Sequence, residues 1–176
     1  SVVITCHNEE AYIKQSVNSV ITQSDYKHIN EIFVVDDGST DSSPQILAQL
    51  KLNCDKLKII TTKGLGISAA RNVAIKSSIS DFIAFLDGDD YWTKNKLQNQ
   101  LKAFENNSSI GLIYGDFWNF EELDASDAIF IPVRSLNKLN INQLVEYFIY
   151  DAPIIPSTTI CRKEVFETVG LFDEKI

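Results

Sequence analysis

Two acidic clusters, each directly after a short apolar run, are the residues of this chain best suited to chemistry. Asp36-Asp37-Gly38-Ser39 follows the run 32–35, and Asp87-Gly88-Asp89-Asp90 follows the run 82–86. In an open α/β sheet the ligand crevice lies outside the carboxyl ends of the strands, so both clusters should face one pocket. Carboxylates gathered in one pocket repel each other unless a cation neutralises them, and Mg²⁺ and Mn²⁺ prefer oxygen ligands. The pattern predicts metal-assisted chemistry on a polyanionic ligand.

A glycine-rich stretch offers a second, competing site. Gly64-Leu65-Gly66-Ile67-Ser68-Ala69 follows the third apolar run and matches a variant of the dinucleotide-binding fingerprint, with Asp87 about 20 residues further on. Such a fingerprint ordinarily follows the first strand of its unit. Two interpretations stay open: an NAD-dependent oxidoreductase using Gly64–Ala69, or helix packing by small residues, with Arg71 as the helix residue that reaches a phosphate.

Aromatic residues and one histidine lie near these clusters in the sequence. His7, just past the first strand, could stack on a base or hold a phosphate, and a solvated loop histidine is the alternative. The aromatic residues could stack on sugar faces, but aromatic side chains more often belong to the core, and we predict the core. They are Tyr91, Trp92, Tyr114, Phe117 and Trp118.

Alternating strand and helix patterns must position these residues. Strands are predicted over 1–5, 31–35, 57–61 and 81–86. The first helix should begin near Asn8-Glu9-Glu10, the second should be capped by Ser42 or Ser43, the third covers 69–75, and the fourth runs through Leu97 to Phe104. Short loops between such elements imply right-handed crossovers and a mainly parallel sheet covered on both faces.

The pattern becomes less regular after residue 110. Strands are predicted over 110–114, 128–133 and 158–161, and a helix over 142–150. No internal repeat or linker divides the chain, so residues 1–176 are predicted to form one α/β domain.

Composition limits the classes of partner and compartment. The net charge of -8 and the absence of any Lys/Arg run argue against a nucleic-acid surface. No apolar stretch reaches the roughly 20 residues of a membrane span. The three cysteines have no metal or redox spacing, which predicts reduced thiols and a cytoplasmic location. Because the chain has no Met and starts inside an apolar run, we expect it to be a fragment.

Five ordered blocks resemble family 2 of the inverting glycosyltransferases, which have the nucleotide-binding GT-A fold. Together they extend over nearly the whole chain. The blocks are Ser1-Val2-Val3-Ile4-Thr5 with Asn8-Glu9-Glu10, Val34-Val35-Asp36-Asp37-Gly38-Ser39-Thr40-Asp41, Gly66 with Ala70-Arg71-Asn72, Phe85-Leu86-Asp87-Gly88-Asp89-Asp90, and Val169-Gly170-Leu171-Phe172-Asp173-Glu174.

The resemblance implies a GT-A fold: a Rossmann-like, mainly parallel mixed sheet flanked by helices. It implies a nucleotide-sugar-binding half over 1–115 and the start of an acceptor-side half over 116–176, with the C-terminal part truncated. It also implies residue roles. Thr5 and Glu9 would border the nucleotide, Asp37 would meet the base, Asp87 would lie near ribose or diphosphate, and Asp89, with Asp87, would hold Mn²⁺ or Mg²⁺.

Two departures from the family pattern bear on function. His7 stands near the position where the family often has an aromatic residue that stacks on the base. The catalytic base of such enzymes lies beyond the Gly-x-Phe-Asp-Glu block, so it is expected beyond Ile176, and this chain would keep the donor site without the base.

The implied reaction is metal-dependent transfer of a sugar from a nucleotide-diphosphate sugar to an acceptor hydroxyl with inversion. A UDP-sugar is the favoured donor, and the product would be a polysaccharide or another glycan. A non-catalytic nucleotide-sugar binding module is an alternative. Any membrane association would need segments outside this chain.

Overall fold

Four parallel strands form the centre of the structure, a computed structural model that describes residues 1–121, 125–133, 136, 139–140, 142–143 and 154–175. The strands are β1 (Val2–Cys6), β2 (Ile32–Asp36), β3 (Leu57–Thr61) and β4 (Phe82–Asp87). The helices that follow them are α1 (Ile13–Ile21), α2 (Ser43–Lys51), α3 (Ile67–Ser77) and α4 (Lys96–Asn106). This alternation confirms the predicted mainly parallel α/β sheet.

Shorter elements complete the sheet and add a ribbon. They are β5 (Leu112–Ile113), β6 (Phe117–Asn119), β7 (Ile129–Ile131), β8 (Ile160–Arg162) and α5 (Lys163–Val169). The sheet order is β3-β2-β1-β4-β8-β5, with β8 antiparallel to both β4 and β5. The strands β6 and β7 form a separate antiparallel ribbon. The sheet is therefore mixed at one edge, as the resemblance implied.

Both faces of the sheet are covered, because successive residues of the central strands point to opposite sides. On one face Ile4 and Val34 pack in a core with α1, α2 and α4, through residues such as Val17, Leu47 and Phe104. On the other face Val3 and Val35 pack against α3, with Phe166 and Phe172 at the margin. Strands buried on both sides read as continuous apolar runs, which explains why they were visible in the sequence.

One helix start and one helix cap differ from the prediction. The helix α1 begins at Ile13, because Asn8 has a positive φ of 58° and the Glu9 carbonyl accepts bonds from the amides of Tyr12 and Ile13 in a preceding turn. The helix α2 begins at Ser43, but neither predicted serine side chain caps it. Asp41 does so instead, since its Oδ1 accepts the Ser43 amide at 2.9 Å.

The irregular second part was predicted less well. The strand expected over 158–161 starts at Ile160, because residues 156–158 form a 3-10 turn that begins at Pro156. The strand β6 was missed, and residues 144–150 of the helix expected over 142–150 lie outside the described residues. The core prediction is confirmed for Trp92, which is 6% exposed, and wrong for Trp118 and Tyr91, which are exposed.

The cysteines are unpaired and buried: Cys6, Cys54 and Cys161. Burial raises the pKa of Cys6 and of Cys161 to about 11, so both are protonated thiols at neutral pH. Neither Cys6 nor Cys161 has the lowered pKa that a reactive cysteine needs.

Glu31, just before β2, is a buried carboxylate with three donors. It accepts bonds from Lys58 Nζ at 2.5 Å, Ser1 Oγ at 2.8 Å and the Ile79 amide at 3.2 Å. Burial alone would raise the pKa of Glu31, but these bonds outweigh burial and hold it below the ordinary 4.5. A lowered folded-state pKa means that Glu31 stabilises the fold above the unfolded-state pKa, and that this stability is lost as pH falls through the folded value.

We therefore expect Glu31→Gln to lower the free energy of unfolding at pH 7 and to flatten its decline below about pH 4.5. Urea unfolding at a series of pH values measures both effects. The matched control is Glu167→Gln, which removes the same charge at an exposed position of α5. A decline as steep in Glu31→Gln as in the unchanged protein would contradict the prediction.

Candidate active site

The two acidic clusters meet at the carboxyl ends of the central strands. In the sheet register Thr5 pairs with Asp87, and Cys6 pairs with Asp36. Thr5 donates from Oγ1 to Asp87 Oδ1 at 3.0 Å, and Arg71, reaching over from α3, donates from Nη2 to the same oxygen at 2.7 Å. The structure therefore brings together three of the predicted site residues, Thr5, Arg71 and Asp87.

The orientation of Asp87 is fixed from several sides. Its amide donates to Ser157 Oγ at 3.0 Å, and Ser16 Oγ donates to its carbonyl at 3.4 Å. Within the described part of the chain, Asp87 Oδ2 accepts no hydrogen bond. One carboxylate oxygen thus holds Arg71 in place, and the other is available to a ligand. Ser16 and Ser157 were not singled out from the sequence, because they are distant in the chain and only the fold brings them here.

Gly88 is the residue that lets the acidic loop cross the end of β1. A Cβ added at Gly88 would lie 2.7 Å from the Thr5 carbonyl oxygen and 3.1 Å from Glu9 Cγ. No larger residue fits there without a backbone shift. The close crossing directs Asp89 outward, where it is exposed and has no hydrogen-bond partner among the residues that the structure describes.

The carboxylates of this loop and of Glu9 repel one another. Burial raises the pKa of Glu9, and the charges of Asp89, Asp41 and Asp87 raise it further. Burial likewise raises the pKa of Asp90, with added repulsion from Asp89 and Asp87. The site therefore carries more negative charge than its own donors neutralise.

A divalent metal suits this excess of charge. Among the described residues no group of three His, Cys, Asp or Glu side chains could hold a metal ion by itself. Mg²⁺ typically takes one or two carboxylates and completes its shell with phosphate oxygens and water. Asp89 and the uncommitted oxygen of Asp87 are the donors that fit such an ion.

Asp37 is buried and holds the glycine-rich loop. Its Oδ1 accepts bonds from Thr62 Oγ1 and the Leu65 amide, and its Oδ2 accepts the Gly66 amide at 2.8 Å. Burial alone would raise the pKa of Asp37, but these bonds hold it below its ordinary value. The Gly64 amide also lowers the pKa of Asp37, so four donors of the chain itself surround this carboxylate.

This use of Asp37 bears on the dinucleotide alternative. A pyrophosphate on a helix N-terminus needs the free backbone N–H groups of the loop. In this fold the amides of Leu65 and Gly66 already donate to Asp37. The loop also follows β3, the edge strand of the sheet, rather than the first strand of the chain. Both observations weigh against a dinucleotide site at Gly64–Ala69.

A clamp between two loops supports the remaining site residues. Asn8 Oδ1 accepts the Thr40 amide at 2.8 Å, Ser39 Oγ accepts the Asn8 amide at 2.9 Å, and Asp41 Oδ2 accepts the Glu10 amide at 2.9 Å. Ser39, Thr40 and Asp41 thus fasten the β1–α1 loop, which carries Glu9 and His7. Asn, Ser and Asp favour such local bonds, but the sequence does not reveal partners about 30 residues apart.

His7 is bonded to the backbone of Asp37. It is exposed and donates from Nδ1 to the Asp37 carbonyl oxygen at 2.9 Å. This bond fixes one edge of the imidazole ring and leaves a ring face accessible. The geometry is compatible with the predicted stacking of His7 on a base.

Asn72, beside Arg71 on α3, ties a distant segment to the site. Its Nδ2 donates to the Phe172 carbonyl at 2.9 Å and to Glu174 Oε1 at 2.8 Å, and its Oδ1 accepts the Phe172 amide at 3.0 Å. The Phe172 ring lies 5.6 Å from the guanidinium of Arg71 and 5.6 Å from the centroid of Phe85. The residues 170–174 are therefore anchored to the helix that carries Arg71.

We expect Asn72→Leu to lower the free energy of unfolding by about 2–4 kcal/mol, because it leaves the amide and carbonyl of Phe172 unpaired near the core. Urea denaturation gives the value. Asn99→Leu is the control, since Asn99 is exposed on α4, and its substitution should change stability by less than about 0.5 kcal/mol. Equal effects of the two substitutions would refute the proposed anchor.

Nearly the whole sequence matches the model of a known protein family. The model of Glycosyl transferase family 2 matches residues 1–170. The chain belongs to glycosyl transferase family 2. The resemblance predicted from five blocks is thus confirmed, and the acidic loop 87–90 and Arg71 of this glycosyltransferase both lie within the matched region.

Two relatives of this family 2 chain are named for teichoic acid biosynthesis and for glucosyl transfer. It is 32% identical over 184 residues to "Minor teichoic acid biosynthesis protein GgaA" of Bacillus subtilis (strain 168), covering 100% of this chain and 40% of the relative. It is 31% identical over 148 residues to "UDP-Glc:alpha-D-GlcNAc-diphosphoundecaprenol beta-1,3-glucosyltransferase WfgD" of Escherichia coli, covering 83% of this chain and 54% of the relative. The chain spans about half or less of the length of these relatives.

A solved structure has the same fold as this glycosyltransferase chain over almost the full length of this chain. S. aureus TarS 1-349, in complex with UDP, superposes with a TM-score of 0.71 at 25% identity, covering 99% of this chain and 50% of that one. The GT-A fold predicted from the resemblance is thus confirmed. Within the described ranges, no helix of this family 2 chain is long and apolar enough to cross a membrane.

Proposed function

We propose that the protein transfers a sugar from a UDP-sugar to an acceptor hydroxyl with inversion, in the synthesis of a polysaccharide or another glycan. The observation that carries the proposal is the convergence of Thr5, Arg71 and Asp87 beside the exposed Asp89, in a chain of a glycosyltransferase family. The UDP complex of the S. aureus structure supports the choice of nucleotide, since that protein matches this chain over nearly all its length.

Different residues of the site suit different parts of the nucleotide-sugar donor. His7 and the neighbouring Asp37 suit a base, with Thr5 and Glu9 bordering the nucleotide. Arg71, held by Asp87 Oδ1, is the cation nearest the acidic loop and suits a phosphate oxygen. Asp89 and Asp87 Oδ2 would hold Mn²⁺ or Mg²⁺, which when bound neutralises charge on the departing diphosphate.

An inverting transfer also needs a general base that removes the proton of the acceptor hydroxyl. We assign this base to chain beyond Ile176, following the segment 170–174 that Asn72 anchors. We likewise assign donor binding to residues 1–115 and the start of the acceptor side to residues 116–176. The unpaired cysteines are consistent with a reducing, cytoplasmic location.

Calorimetric titration with UDP, with and without Mn²⁺, tests the donor site, and NAD⁺ is the comparison ligand. We expect UDP to bind only when Mn²⁺ is present, and NAD⁺ not to bind. Metal-independent binding of NAD⁺ would overturn the proposal and favour the oxidoreductase interpretation of Gly64–Ala69.

A second experiment separates an enzyme from a binding module. A protein that extends past Ile176 should release UDP from a UDP-sugar when an acceptor is present. Tight binding of UDP without any turnover by the longer protein would contradict catalysis and favour the non-catalytic module.

A further inference from the structure

Four aromatic rings form a row that begins beside the acidic loop. Tyr91 directly follows Asp89-Asp90, and its ring lies 5.5 Å from that of Phe120. Trp118 is two residues before Phe120, so the two side chains share a face of the extended chain. Trp118 pairs across the ribbon with Phe130, and their ring centroids are 5.0 Å apart. We call these four residues the aromatic row.

The aromatic row is exposed where a core would be buried. Trp118 is 55% exposed, Phe130 46% and Tyr91 37%. Trp92 makes the contrast, since it is buried and donates from Nε1 to the Ser157 carbonyl at 2.8 Å. The Nε1 of Trp118 donates to none of the described residues. Exposed rings that adjoin one another and continue into a ligand site indicate a binding surface.

The charge around the aromatic row restricts what can bind there. Residues 103–133 contain no Lys or Arg. Asp116, Glu121 and Asp127, at or near the ends of β6 and β7, are exposed acids. A phosphate-bearing polymer would be repelled here. An uncharged sugar ring would not be, because its C–H groups can lie on the negative faces of aromatic rings while its hydroxyls meet the indole N–H and the carboxylates.

We propose that the aromatic row binds an uncharged sugar unit of the acceptor, stacked on Trp118 and Phe130. The proposal rests on the proposed function, because it takes the Asp89 loop as the point of transfer. The row starts at that loop and leads away from it. An acceptor whose reacting hydroxyl lies at the loop would extend in the same direction. The other three residues of the row, Trp118, Phe120 and Phe130, lie within the part of the chain that we assign to the acceptor.

Tryptophan fluorescence tests this directly, because the chain has only two tryptophans and Trp92 is buried. The protein, with UDP and Mn²⁺, is titrated with cellotetraose, maltotetraose and N-acetylchitotetraose as neutral probes, and with polyphosphate as the anionic probe. We expect a saturable emission change with at least one neutral probe, absent in Trp118→Phe, and none with polyphosphate. No change with any neutral probe, or a response to polyphosphate alone, would overturn the proposal.

Variants test the stacking itself by calorimetry with the neutral probe that binds. Trp118→Ala and Phe130→Ala should each weaken its binding by about 3- to 10-fold. Ile129→Ala is the matched control, because Ile129 is exposed on the same ribbon but pairs with Asn119 on the opposite face, and it should change nothing.

UDP binding by the same variants separates the possible failures. If the unchanged protein does not bind UDP, the proposed function fails. If it binds UDP and no neutral sugar, only the acceptor surface fails. Loss of UDP binding in the variants would indicate a structural role for the row.

Self-association that Trp118→Ala abolishes would mean that a second copy of the chain covers the row. Either result overturns the proposal, and Phe130→Ala decides independently if Trp118→Ala unfolds.

Discussion

Replacing Asp89 by alanine is expected to weaken Mn²⁺-dependent UDP binding by roughly 100-fold or more, because even residues that only support a metal ligand contribute 10- to 100-fold to affinity. Stability should not fall, since Asp89 is exposed and contacts no hydrogen-bond donor among the described residues. Removing its charge also relieves the repulsion that raises the pKa of Glu9 and of Asp90. Calorimetry with UDP and Mn²⁺ measures the affinity, and urea unfolding measures the stability.

The control for Asp89→Ala is Asp55→Ala. Asp55 is an equally acidic, exposed residue just before β3, at the amino ends of the strands. Its removal changes the net charge by the same amount and should leave UDP binding intact. If both substitutions weakened binding equally, long-range charge rather than metal ligation would be the cause.

Arg71→Met is expected to lower both the stability of the fold and the affinity for UDP. Arg71 is buried, and its loss leaves the carboxylate of Asp87 without its cation. Breaking a buried ion pair by removing one partner costs about 3–5 kcal/mol. Since the Asp87 side chain keeps 23% of its exposure to water, we expect a smaller loss than for a fully buried pair, about 2–4 kcal/mol. UDP binding should weaken as well, because the phosphate loses its nearest cation.

A double substitution distinguishes charge from packing. In Arg71→Met with Asp87→Asn no unpaired charge remains, so part of the lost stability should return, while UDP binding should stay weak. Urea unfolding of both single variants and the double variant provides the coupling energy. If the double variant loses as much stability as the two single variants together, the pair has no coupling energy. That result would contradict an electrostatic role and indicate that Arg71 acts by packing against Phe172.

The sequence by itself determined the central sheet, the order of its helices and the two acidic clusters. Residues 2–6 and 32–36 are buried on both faces, so their apolar runs were unambiguous, and the carboxylates that end such strands had to meet at one edge. The ordered blocks also identified the family. Local chemistry was less informative at the start of α2. There the Glu9 amide, about 30 residues away, donates to Ser43 Oγ, and Asp41 rather than a serine accepts the helix amide.

Only the tertiary structure decided which residues bear on one another across the chain. It assigned Asp37 to the amides of the glycine-rich loop, Asn72 to Phe172, and Asp87 to Arg71. It also separated Trp92, in the core, from Trp118, on the surface, although both were predicted to be buried. The reason is physical: periodicity reports burial within a regular element, whereas hydrogen-bond partners and the exposure of short strands depend on segments that only folding brings together.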